Sequence, residues 1–110
     1  MWEKYSSLLK ENINKHFWDE KQGCYTCYLY PEYLGYRPTQ RVGVMSNGLA
    51  AVLDIATTGQ SIQMVENFPL YPYGAAVLYP SIPDDFSYHN KSVWPVWETP
   101  YMYAARDVKN

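Results

Sequence analysis

Two segments of this chain offer no side that a helix could turn to water. "GLAAVLDIAT" (48–57) sets Leu49, Val52, Leu53 and Ala56 on one side and Ala50, Ala51 and Ile55 on the other, leaving Asp54 and the end threonines as its polar groups. "VWETPYMYAARDV" (96–108) has the same character, since Val96, Trp97, Tyr101, Met102, Tyr103, Ala104 and Ala105 leave almost no wet face before Arg106. A helix apolar all round is normally buried all round. A chain of 110 residues, expected to form one domain with a modest core, therefore has two such helices to cover. Charged residues are only 18% against aromatics at 17%, with twelve tyrosines, where soluble domains usually carry about 25% charge. The chain is short of solvated surface, as expected where some faces meet protein, and rich in the residues that stack on sugars.

The formal net charge is -2, and no Lys or Arg occurs between Val42 and Asn90. Nucleic acid is therefore excluded as a partner, because phosphate binding needs clustered cations. No apolar run approaches the ~18 residues of a membrane span, and the first residues read as a charged amphipathic helix rather than a signal peptide. Location stays open: periplasmic or extracellular if a parent protein carries an export signal. Cys24 and Cys27, in "GCYTCYLY", lie in an aromatic, β-prone setting where alternation points them to opposite faces. They lack the four ligands of a zinc site and the helix start of a redox pair, so both read as structural or free thiols, with no metal and no cofactor expected.

Periodicity predicts a first helix with Trp2, Tyr5, Leu9, Ile13 and His16 or Phe17 on one side. A turn at "DEKQG" (19–23) and an extended "CYTCYLY" (24–30) come next, then "PEYLGYRPTQRVGV" (31–44), whose prolines and glycines predict a loop. A second helix is expected from a cap at Ser46 or Asn47 to a stop near Gly59. A short two-faced third covers "QSIQMVENF" (60–68), stopped by Pro69. A long connection (69–90) with a short strand at "AAVLY" (75–79) leads to a fourth helix, with Pro95 in its first turn and a kink or break at Pro100. The dry helices start near residues 46 and 94, a spacing of about 48 that suggests two stacked helical hairpins.

"INKHFWDEKQGCY" (13–25), "MSNGLAAVLDIAT" (45–57) and above all "YHNKSVWPVWETPYMYAA" (88–105) resemble stretches of the six-hairpin glycosidases. That group includes glycogen-debranching-like and trehalase-like enzymes. The last stretch is similar to their "YHNG-VWP" loop and the inner helix after it. The resemblance implies a mainly α chain, with short β segments in its loops, forming about two hairpins of an (α/α)6 toroid. The whole of residues 1–110 would be one fragment of such a domain, since six repeats need roughly 290 residues. It implies a protein that hydrolyses glycosidic bonds, with its site where inner helices begin, beside Ser46–Asn47 and Tyr88–Trp94.

Residue chemistry agrees with that placement. Helix starts offer free N–H donors, tryptophan and tyrosine offer flat apolar faces, and His and Asn pair with hydroxyls. The expected substrate-binding residues are Tyr88, His89, Asn90, Trp94 and Asn47, with Asn47 equally readable as a helix cap and Trp97 as core. Hydrolysis needs two carboxylates; the candidates are Glu98 and Asp85, with Asp84 beside it, although adjacent aspartates in a Pro-rich loop usually form turns. Arg41 orients a substrate or pairs with Glu32 or Asp85. The expected partners are a carbohydrate substrate and further protein, either a second copy or missing hairpins covering the dry helices. Two other readings compete: a carbohydrate-binding protein without catalysis, and a helical module that binds protein.

Overall fold

The computed structural model describes residues 1–86 and 88–109. Helix α1 (Trp2–Phe17) leads into a tight hairpin of β1 (Trp18–Asp19) and β2 (Cys24–Tyr25). Asp19 shapes that turn by accepting from the N–H groups of Lys21 and Gln22, and Gly23 supplies the positive φ of 64° that closes it. A second hairpin, β3 (Leu29–Glu32) with β4 (Gly35–Pro38), stands out into solvent. Then β5 (Val42–Gly43) enters α2 (Val44–Val52), and α3 (Thr58–Asn67) comes after it. The long connection folds into β6 (Leu70–Tyr71), β7 (Gly74–Ala75) and β8 (Leu78–Tyr79); β6 pairs with β7, and β8 returns to pair with β5. A single helical turn, α4 (Tyr88–Lys91), precedes α5 (Pro95–Lys109).

The expected toroid of helical hairpins is thus overturned. Among the described residues there are four helices, one helical turn and four two-stranded antiparallel sheets, a mixed α/β fold. The cause lies in the connections. "PEYLGYRPTQRVGV" is a hairpin rather than a loop: Gly35 turns it at φ 145°, and Pro31 and Pro38 are tolerated because a two-stranded ribbon has outward positions that need no N–H. "CYTCYLY" is split between two hairpins, with Thr26 bridging to Val42.

The dry helices are also shorter or wetter than expected. Helix α2 begins two residues before Ser46 and ends at Val52, well short of Gly59. Its stop is a Schellman motif: Asp54 adopts φ 55°, its N–H reaches the Ala51 carbonyl, and the Ile55 N–H reaches that of Ala50. An aspartate thus ends the helix where a glycine is expected to. Helix α3 starts with a capping box, Thr57 and Gln60 each accepting the other's backbone N–H. Helix α5 runs continuously through Pro100.

The core gathers Cys24, Val42, Val44, Met64, Phe68, Ala75, Tyr101 and Ala104. Its centre is the crossing of α2 and α5, where a Cβ added to Gly48 would lie 2.3 Å from the Tyr101 backbone nitrogen and 2.7 Å from the Pro100 carbonyl carbon. The absence of a side chain at Gly48 lets the two backbones touch, and Pro100 brings no N–H that such a contact would strand. Tyr101 continues the contact by packing its ring against Phe68, centroids 5.2 Å apart and planes tilted at 47°, and by donating to the Val65 carbonyl. The Gly48→Ala variant is expected to lose at least about 2 kcal/mol, because backbone rather than a mobile side chain must move. Urea unfolding measures it, and a loss below about 0.5 kcal/mol would show that α2 and α5 do not meet here.

Candidate functional site

Helix α5 begins at the Trp94 carbonyl, which takes the N–H groups of Trp97 and Glu98, and Pro95 fills the first helical position, where a missing N–H costs nothing. The chain before it is held from two sides. Ser92 accepts from the Val77 N–H. The buried Asn90 amide accepts from the Ile82 N–H at 2.6 Å and donates to the carbonyls of Ile82 and Asp85 at 2.9 and 2.7 Å. On either side of these anchors along the chain, four rings collect. Tyr88 lies 4.2 Å from His89 and 4.9 Å from Trp94, His89 lies 5.3 Å from Trp94 and 5.4 Å from Trp97, and the tryptophans are 6.0 Å apart.

The four rings differ in exposure. Tyr88 and His89 are exposed, Trp94 is half-buried with its indole N–H donating to the Tyr88 carbonyl, and Trp97 packs its far side on the core. The Tyr88–Trp94 and His89–Trp94 pairs are close to parallel, at 28° and 20° between planes. Beside them opens a cleft of about 400 Å³, lined by His89 and Trp97 together with Cys27, Met45, Leu49 and Val77 among others. Its walls are mostly apolar, with the Ser46 hydroxyl, already donating to the Gly43 carbonyl, as one of the few polar groups. Amphipathic ligands suit such a place: a flat apolar wall with polar atoms at its edge.

The structure therefore brings Tyr88, His89 and Trp94 together with Ser46, beside which the resemblance places the site, and adds Trp97 and Cys27, which the sequence alone does not assign to a site. For Trp97 a signal exists in its three-residue spacing from Trp94. Ser46 lies where the resemblance puts the start of an inner helix, whereas Cys27 has no signal, since it arrives through its N–H bond to the Arg41 carbonyl beside the Thr26–Val42 bridge. Asn90 and Asn47 have other work. Asn47 lies inside α2, fully buried, not at its cap; its amide accepts from the Tyr25 N–H at 2.7 Å and donates to the Tyr25 and Gly43 carbonyls at 2.9 and 3.0 Å. Both asparagines have their donors and acceptor taken by backbone.

Of the candidate carboxylates, that of Glu98 is engaged by the fold. Glu98 accepts from the Ala75 N–H at 2.5 Å and lies where a Cβ on Gly74 would come within 3.0 Å of both its oxygens, so it braces the β6–β7 hairpin against α5. Asp84 is a turn residue at φ 60°, and Asp85 is half-buried, with its carbonyl held by Asn90. Arg37, not Arg41, pairs with Glu32, at 2.7 Å. No group of three or more His, Cys, Asp or Glu able to hold a metal occurs among the described residues, and no helix is long and apolar enough to cross a membrane. No protein family model, no curated protein and no solved structure matches this chain.

Both cysteines are free thiols. Burial, with the charge of Asp19 adding to it, pushes Cys24 up to about 12; burial pushes Cys27 up to about 11 against the opposing pull of Arg41. The thiolate is the nucleophile, so iodoacetamide should alkylate Cys27 in the folded chain at pH 8 roughly a hundredfold more slowly than in urea. Raised folded-state values also set the sign of the linkage. These thiols contribute stability that is whole below pH 9 and is lost as pH rises through 11 to 12. Equal alkylation rates in the folded and unfolded chain would contradict this burial.

Proposed function

We propose that this chain binds carbohydrate, with a sugar ring laid on the Tyr88–Trp94 face and His89 meeting its hydroxyls at the mouth of the cleft. One observation carries this reading: four aromatic rings linked by centroid distances of 6.0 Å or less, two of them exposed, on a segment that the buried Asn90 amide holds in place. Sugars present a flat C–H surface edged by hydroxyls, and a ring face with an imidazole beside it complements both parts. The likeness of Tyr88–Pro95 to the corresponding loop of six-hairpin glycosidases supports a sugar over other amphipathic ligands. The reading is one of binding rather than hydrolysis, because the Glu98 carboxylate is occupied by a backbone N–H of its own fold. A second part of the proposal is self-association, supported by the large apolar side chains left uncovered on α1, α2 and α5.

Tryptophan fluorescence during titration with neutral oligosaccharides tests the site. Saturable quenching is expected in the wild-type chain, with affinity reduced at least tenfold in Trp94→Ala, a loss of about 1.4 kcal/mol or more. Trp2→Ala, which removes an indole on the far helix, should leave it unchanged. Equal quenching in wild type and Trp94→Ala would remove the ring face as the binding surface.

A further inference from the structure

A compact monomer of 12.8 kDa exposes about 6,300 Å², whereas this chain exposes 7698 Å². The excess, about 1,400 Å², exceeds the roughly 800 Å² that each partner contributes to a stable interface. The projecting β3–β4 hairpin and helix α1 both contribute to it, and α1 does so with an apolar stripe. Helix α1 has no buried residue, and Trp2, Tyr5 and Leu9, spaced three and four apart on one stripe, are 84%, 59% and 62% exposed. Its hold on the body lies in its second half, where Asn14 donates to the Ile55 carbonyl and accepts from the Tyr25 hydroxyl. There α1 borders an open apolar groove of about 320 Å³ lined by Ile13, Phe17, Leu49, Leu53 and Ile55 among others, with Leu53 62% exposed.

We infer that a second copy of this chain covers this surface, the two α1 helices pairing antiparallel about Leu9 so that Trp2 and Tyr5 of each enter the groove beside Ile13 of the other. The inference rests on the self-association proposed above and names its surface. Three observations select a second copy. The stripe and the groove lie on the same helix about two to three turns apart, so a two-fold axis at Leu9 satisfies both at once, and a self-complementary patch closes at two copies. The helix dipoles agree: antiparallel pairing lays them in opposition and brings Glu3 of one copy level with Lys15 of the other, although Lys4 beside Glu3 leaves the first turn without net charge. The excess area also covers what one such contact buries.

Sedimentation equilibrium of the full chain at micromolar concentration is the test, with Leu9→Glu and Leu53→Glu as variants. Both positions are exposed, so the far-ultraviolet circular dichroism of the wild type should be kept. A dimer is expected for the wild type, with its dissociation constant raised at least tenfold in each variant. Leu9→Cys should also cross-link to its own counterpart on mild oxidation, while Leu70→Cys, equally exposed elsewhere, should not. A wild-type dimer that ignores both charges and fails to cross-link overturns this interface and leaves self-association standing. A monomeric wild type overturns both, and open-ended association overturns the closed pairing.

Discussion

The Asn47 amide is the constraint on which the fold turns. A primary amide is the one side-chain group that can pair with a peptide as another peptide does, accepting from its N–H and donating to its carbonyl. Asn47 does this to Tyr25 from within α2, and so fastens the first hairpin to a helix with which it shares no backbone hydrogen bonds. Because the site is dry, the Tyr25 groups would lose both water and partner if the amide were gone, a cost of about 1–3 kcal/mol for each stranded group. The same clasp holds Cys24 in the core and sets the Tyr25 hydroxyl where it reaches Asn14 of α1. Asn90 repeats the device on the Ile82 peptide, so a two-residue hairpin and a proline-rich loop are each held to the body by one buried asparagine.

The position of the ring cluster depends on a second set of contacts behind it. Gly48 lets α5 come down onto α2, Tyr101 and Phe68 fill the seam, and Glu98 binds the first turn of α5 to Ala75. Trp94 and Trp97 then have no freedom to lie elsewhere, since one caps the helix and the other packs on the core. The exposed rings are thus presented on rigid elements, not on a loose loop, which lowers the ordering cost of any ligand they meet.

The helices are legible in the sequence because their signals are local. The period of α1, the apolar run of α2, Pro69 after α3 and Pro95 at the start of α5 each act within one or two turns. Features that depend on partners far along the chain stay hidden. Two-residue strands such as β5 and β8 are too short to show alternation, and they exist because residues 42–43 meet 78–79. The αL stop at Asp54 is hidden for a different reason, since glycine is the usual signal and aspartate only tolerates that conformation. Asn47 and Asn90 are legible as important polar residues, but their direction is not: an amide that faces a buried peptide and one that faces a sugar have the same letter. Tyr88, His89 and Trp94 are legible together because they lie within one turn and its neighbour.

The apolar surface of the chain is of two kinds, and the difference decides what each can meet. The α1 stripe joins a long aliphatic side chain to two aromatics on a convex helix, and its groove is lined almost wholly by aliphatic and aromatic carbon. Such surfaces gain by excluding water over a large area and need a partner of matching size, which a small ligand is not. The ring cluster is smaller and flatter, and its polar atoms, the Tyr88 hydroxyl and the imidazole, lie at its edges. A protein covering it would have to satisfy those atoms, whereas a ligand carrying its own hydroxyls does so as it stacks. The two surfaces meet in the middle of the molecule, since Cys27, Ser46 and Leu49 line both the cleft beside the rings and the groove beside α1. The ring face itself stands clear of that shared wall, so a ligand stacked on Tyr88 and Trp94 and a protein covering the α1 stripe touch different side chains.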